Sequence, residues 1–186
     1  MEINNRKIII HWEQGHGKTL FWVFLAFTYT RIYSNVDITY NNKKINITLS
    51  KIEEFETLFN YNSIPGVTLL DETWINFNSK KGMSQANETL QKWFFLSRKY
   101  NVTPIFIAQR FGSVPVDMRE LASKYWIIEM KKVHRKRYAY PLFTVNMQTV
   151  DNEWALTTHK TFEIDLIKFF DTFDIKYDTL QSSLIT

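Results

Sequence analysis

Lys7-Ile8-Ile9-Ile10-His11-Trp12-Glu13-Gln14-Gly15-His16-Gly17-Lys18-Thr19-Leu20-Phe21-Trp22 decides how the rest of the chain is read. The run Lys7–His11 is short, β-branched and apolar without alternation, as expected of a strand buried on both faces in a parallel sheet. The residues from Lys18 onward are apolar nearly all round and predict a central helix, here expected over Lys18–Tyr33. Between them stands Gly15-His16-Gly17-Lys18-Thr19. Glycines at such a turn let backbone N–H groups converge on phosphate oxygens, and a helix N-terminus adds partial positive charge. A lysine then reaches the terminal phosphates and a threonine hydroxyl ligates Mg²⁺. The stretch departs at one point from the pattern G-x-x-x-x-G-K-[ST], whose first glycine is replaced by Trp12. A plain turn with an exposed lysine is the competing reading. The strand before and the helix after favour a phosphate-binding loop comprising Gly15, His16, Gly17, Lys18, Thr19 and Leu20.

Working outward, Val67–Leu70 reads as a second buried strand. It delivers Asp71-Glu72 to its carboxyl end, where ligands of open α/β sheets bind. Asp71 there is a candidate Mg²⁺ ligand opposite Thr19, and Glu72 a candidate to polarise an attacking water. Thr103–Ala108 reads as a third buried strand ending in Gln109-Arg110. An amide at that place donates to a phosphate oxygen and accepts from water, although a polar residue opening a loop is the commoner meaning of such a glutamine. Trp126–Met130 reads as a fourth strand.

The remaining expectations are local. Val36–Tyr40 and Lys43–Leu49 flank a turn at Asn41-Asn42. Ser50 and Glu53 form a capping box opening a helix over Lys51–Asn60. Ala86, Leu90, Trp93 and Phe94 lie on one helical stripe running to Lys99, and Asp117–Ser123 forms a short helix. Tyr138–Met147 and Trp154–Thr158 make a hairpin at the sheet edge, and Thr161–Phe173 an amphipathic helix through Phe162, Leu166, Phe169 and Phe173. Strands alternating with helices give an α/β domain with a mainly parallel central sheet. One domain over residues 1–174 and a C-terminal tail over 175–186 are expected.

Composition excludes several alternatives. The chain has 186 residues, enough to bury a core without covalent staples, and its 45% hydrophobic content with a net charge of only +4 argues against disorder. Without a single cysteine it has no disulfide, thiolate metal site or thiol nucleophile. Its four histidines, at 11, 16, 134 and 159, have no metal-motif spacing. Residues 1–15 lack the apolar segment of a secretory signal. The apolar stretch Leu20–Tyr33 is shorter than the roughly 20 residues of a membrane span and is interrupted by Thr28, Thr30 and Arg31, so a non-membrane protein is expected. Most aromatic residues fall on apolar stripes. Trp22, Trp93 and Trp126 are assigned to the core, while Trp12 and Trp74 stand beside the nucleotide motifs.

The order of the pieces resembles the FtsK/HerA superfamily of P-loop ATPases. The resemblance rests on the glycine-Lys18-Thr19 loop after a strand and on Leu69-Leu70-Asp71-Glu72. It rests further on Ser97-Arg98-Lys99-Tyr100-Asn101, with Asn101 where the family usually has glycine, leading into Ile105-Phe106-Ile107-Ala108-Gln109-Arg110. Val116-Asp117-Met118-Arg119 and Tyr177-Asp178-Thr179 are similar to viral genome-packaging ATPases and Zot-like phage assembly ATPases. The resemblance implies a RecA/FtsK-like three-layer domain, with ATP and Mg²⁺ as cofactors. It also implies a pentameric or hexameric ring that moves double-stranded DNA, with Lys18, Glu72, Gln109, Arg98 and Arg110 as catalytic residues. In such rings an arginine of the neighbouring subunit stabilises charge on the γ-phosphate. Arg98 is the first candidate and Arg110 the second. A capsid, portal or membrane vertex is an implied partner, and the host cytoplasm or the virion the implied location.

DNA backbone contacts are expected from Lys80 and Lys81 and from the basic run Lys131, Lys132, Arg135, Lys136 and Arg137, against the simpler reading of a solvated charged face. A packaging motor is the leading expectation. A Zot-like export ATPase, a small nucleotide kinase and a non-catalytic nucleotide-binding protein stay open beside it.

Overall fold

A computed structural model of the chain describes residues 6–13, 15–29, 31–34, 36–48, 65–70, 92, 94–122, 124 and 126–178. Its first strand, β1 (Ile8–His11), is buried throughout. It pairs in parallel with β7 (Val102–Ala108) on one side and β8 (Ile127–Val133) on the other. Beyond β7 lie β6 (Gly66–Leu70), β2 (Arg31–Ser34) and β5 (Ile47–Thr48), all parallel. Beyond β8 the antiparallel strands β9 (Leu142–Val150) and β10 (Leu156–Ile164) close that end, giving the order β10-β9-β8-β1-β7-β6-β2-β5. The expected mainly parallel sheet with an edge hairpin is present.

Alternation along the buried strands divides the core. Ile8 and Ile10 face helix α1 (Lys18–Ala26), together with Ile105, Ile107, Ile128, Met130, Phe143 and Val145. Ile9, Phe106 and Ala108 face the opposite layer, where Phe94, Phe111 and Met118 of helix α2 (Val116–Leu121) pack. The result is three layers. Outside α1 lies helix α3 (Leu166–Thr172), whose Phe169 ring meets Phe24 edge-on at 4.9 Å. A second antiparallel sheet consists of β3 (Asp37–Tyr40), β4 (Lys43–Lys44) and β11 (Ile175–Asp178). The turn between β3 and β4 has positive φ at both Asn41 and Asn42, as tight hairpins require. Among the described residues no helix is long and apolar enough to cross a membrane.

Three expectations need correction. The helix read over Lys18–Tyr33 stops at Ala26, and Arg31–Ser34 is strand β2. The Thr28 hydroxyl donates to the Leu25 carbonyl at 2.8 Å, satisfying a helix-end acceptor. An all-round apolar helix followed by a buried parallel strand has no periodic signal at the junction. At the other end, β10 extends to Ile164, so Phe162 belongs to a strand, and the amphipathic helix begins only at Leu166. Asp165 caps it, accepting from the Lys168 N–H at 2.9 Å. Residues 175–178, expected to open a tail, form β11 on β3. Trp22 and Trp126 are buried as expected. The predicted helix over Lys51–Asn60 and the Trp74 and Trp93 side chains lie outside the described residues.

Candidate nucleotide site

β1 ends at His11, and the backbone turns sharply. Trp12 has φ 142, a value that favours glycine, at the position where the phosphate-loop pattern places its first glycine. Gly15 and Gly17 both have φ 79. Gly17 precedes α1 without a side-chain cap, and the Phe21 N–H donates to its carbonyl at 2.9 Å. The loop therefore folds back over the head of the helix. Lys18 occupies its centre: the side chain is buried, and Nζ donates to the Trp12 and Glu13 carbonyls, each at 2.7 Å. Thr19 follows on the helix and is half-buried.

The loop is held from outside by the β8–β9 pair. A Cβ on Gly17 would lie 2.4 Å from Cε1 of Phe143, so only glycine lets the loop sit on that ring. His16 meets Trp12 edge-on with ring centroids 6.4 Å apart, and its Nδ1 accepts the backbone N–H of Lys132 at 2.9 Å.

β7 lies directly beside β1, with Ala108 opposite His11, so exposed Gln109 and Arg110 leave the sheet at the loop's edge. β6 is the next strand, and its last residue, Leu70, stands opposite Phe106. Asp71 and Glu72 follow it and lie outside the described residues, as do Lys80 and Lys81. Mg²⁺ prefers oxygen ligands, and a Thr19 hydroxyl with the Asp71 carboxylate is a donor set of that kind.

Arg98 lies elsewhere. It sits exposed in the 3-10 turn Ser97–Tyr100, which Asn101 ends in the left-handed conformation that the usual glycine would adopt. That turn precedes β7, whose seven residues span about 23 Å to Gln109. The parallel pairing of β7 with β1 sets that turn at the foot of β1, where burial and, after it, the Arg98 charge push the Lys7 ammonium below its ordinary pKa. Within one chain Arg98 and the phosphate loop thus stand at opposite ends of the parallel strands.

The sequence reading missed a polar row beneath the loop. His11 Nε2 is 3.0 Å from Gln148 Oε1, to which it donates, and Gln148 Nε2 donates to Thr158 Oγ1 at 3.3 Å. Glu129, paired across from His11, accepts from Asn146. Burial is the main cause holding the His11 pKa below its ordinary value, and the Lys18 charge adds to it against the Gln148 bond and the Glu129 charge. A lone histidine closing an apolar strand was the available signal.

The basic run leaves the sheet at the same end of the strands as the loop, because β8 runs parallel to β1. Lys131, Lys132, Arg135, Lys136 and Arg137 are exposed, as are Tyr138 (56%) and Tyr140 (53%) beside them. Arg135 pairs with Glu163 of β10.

A mainly parallel sheet flanked by helices, with a glycine-lysine-threonine loop between its central strand and α1, is the fold of the P-loop NTPases. Residues 21–170 match the family Zonular occludens toxin (Zot), and the chain belongs to that family. Its fold is similar to the crystal structure of the N-terminal domain of zonular occludens toxin from Neisseria meningitidis (14% identity, 89% of this chain and 97% of that one, TM-score 0.56). It also resembles the genome packaging NTPase B204 from Sulfolobus turreted icosahedral virus 2 in complex with ATP-gammaS (14% identity, 86% and 98%, TM-score 0.47). No curated protein sequence matches the chain.

Proposed function

We propose that this protein is an ATP-hydrolysing motor that moves double-stranded DNA during the packaging or assembly of a virus particle, acting as a homo-oligomeric ring. The carrying observation is the Lys18 ammonium, wrapped by the Trp12 and Glu13 carbonyls between the central strand and α1. Membership of the Zot family and the P-loop fold support the same reading. Both the packaging and the Zot-like assembly branch accommodate it.

In this reading the N–H groups of Gly15–Leu20 bind the phosphates, and Lys18 neutralises the β- and γ-phosphate charge. Thr19 and Asp71 would hold Mg²⁺, which would screen charge developing on the phosphates. Glu72 orients and polarises the attacking water. Gln109, leaving the strand beside β1, contacts the γ-phosphate or that water. Arg98 stands a strand length from its own loop, so it serves the loop of a neighbouring subunit; Arg110 is the alternative at the near edge. The cationic β8–β9 hairpin and Lys80-Lys81 contact DNA phosphates without reading sequence. The ring lies in the host cytoplasm or at the particle, against a capsid, portal or membrane vertex.

The test is ATP turnover with and without Mg²⁺ and duplex DNA. Turnover should require Mg²⁺, rise with DNA, and vanish in Lys18→Ala and Glu72→Gln. Lys18→Ala should also lose nucleotide binding, whereas Glu72→Gln should keep it. Phosphoryl transfer to a nucleoside instead of water would identify a kinase. Nucleotide binding without turnover in the assembled parent protein would identify a structural nucleotide binder, the role that Trp12 in a glycine position favours.

A further inference from the structure

β8 outruns β1. The parallel pairing ends with His11 opposite Glu129, while β8 continues to Val133. Past that point the phosphate loop lies where a strand would, and the N–H of Lys132 donates to the Nδ1 of His16 at 2.9 Å. This bond requires the imidazole proton, when the ring is neutral, to be on Nε2. Lys132 is paired across to Phe143 on β9, the same ring on which Gly17 rests. The loop is therefore joined to both strands of one hairpin, where they run into its turn. The hairpin's tip carries Lys131, Lys132, Arg135, Lys136 and Arg137, with exposed Tyr138 and Tyr140, and the sequence has no acidic residue between Met130 and Asp151.

We infer that His16 is a positioning residue that links the phosphate loop to the cationic β8–β9 hairpin, so that occupancy of the loop sets how firmly the hairpin holds an anionic polymer. This deepens the proposed function and rests on it. A loop whose backbone is fixed by phosphate fixes His16, and through Nδ1 it fixes the Lys132 amide from which the tip projects. The Gly17–Phe143 contact gives packing at the same place, whereas the His16–Lys132 bond is directional, and removing it leaves the ring contact in place. Coupling must be reciprocal: a polymer on the hairpin must tighten nucleotide binding by the factor with which nucleotide tightens polymer binding. One neutral hydrogen bond sets that factor at about two- to tenfold.

The test measures ATPγS affinity with and without a duplex oligonucleotide, and oligonucleotide affinity with and without ATPγS. The full chain is used as the parent, His16→Leu and His16→Asn. Leucine removes the acceptor. Asparagine offers a side-chain oxygen one bond from Cγ, as Nδ1 is. The expected result is reciprocal coupling in the parent, a factor near one in His16→Leu, and recovery in His16→Asn. Amide hydrogen exchange at Lys132 gives a readout independent of turnover: ATPγS should slow it in the parent and in His16→Asn but not in His16→Leu. Undiminished coupling in His16→Leu, or no coupling in a parent that binds both partners, overturns the inference and leaves the motor reading intact. A parent that binds ATPγS but no duplex overturns both.

Discussion

Gly17 faces the ring of Phe143 so closely that a Cβ built on it would lie 2.4 Å from Cε1 and 2.6 Å from Cδ1. Gly17 also has φ 79, where an L side chain is strained whatever the space around it. Both constraints act on the residue just before α1, and the ring imposing one of them comes from the far side of the central strand. Gly17→Ala should therefore destabilise the fold by more than the roughly 1–2 kcal/mol of left-handed strain alone. Combining it with Phe143→Leu should recover the clash but not the strain. The double variant should then melt higher than additive losses predict. A thermal double-mutant cycle checks this; strict additivity would mean the ring does not confine the loop.

Trp12 carries a glycine-type backbone with φ 142. A side chain there stores of order 1–3 kcal/mol of strain, partly offset by the edge contact with His16. Trp12→Ala keeps the strain and loses the contact. Trp12→Gly loses both. Glycine should accordingly be the more stable of the two variants by about 1 kcal/mol, the reverse of their order in an ordinary strand or helix. Chemical denaturation of the pair decides it, and alanine proving the more stable would refute the backbone assignment.

His11 is buried, and burial holds its pKa below the ordinary 6.5. The unfolded chain therefore binds a proton at a pH where the folded chain does not. Stability from this group is complete above 6.5 and is lost as pH falls below it. His11→Gln removes the titration, so the parent should lose stability more steeply than the variant between pH 6.5 and 5. Denaturant midpoints across that window measure the slopes; parallel slopes would mean His11 takes up its proton while folded.

Arg98 and the phosphate loop lie at opposite ends of adjacent parallel strands, so a catalytic Arg98 has to act on another subunit. Arg98→Ala should lower turnover by about 10³-fold or more while nucleotide binding persists. Mixing it with Lys18→Ala subunits should restore part of the activity, because some interfaces then combine an intact arginine with an intact loop. If mixing restores nothing for Arg98→Ala yet does so for Arg110→Ala, the role passes to Arg110.

The candidate site could be named from the sequence because its motifs are local. Gly15–Thr19 between a strand and a helix, Leu70 leading to Asp71, and Ala108 leading to Gln109 each need only a few adjacent residues to be recognised. The parallel sheet was legible for a similar reason, since strands buried on both faces are apolar without alternation. The boundary at Ala26 was not, because a buried helix and a buried strand share that composition. Nor was the start of α3, where Phe162 fits a helical stripe yet belongs to β10. The order of strands was also beyond the sequence: that β7 lies beside β1 and β6 one place farther depends on pairing across many residues.

By itself the sequence marked which groups are candidates to face a polyphosphate, because loop chemistry is written in neighbouring residues and strand ends. Tertiary structure alone decided that Phe143 forbids a side chain at Gly17, that Gln148 lies under His11, and that the Lys132 amide meets His16. Those partners are more than a hundred residues apart in the chain. They meet only because β8 and β9 extend beside and past the end of β1, a consequence of sheet register that no local pattern encodes.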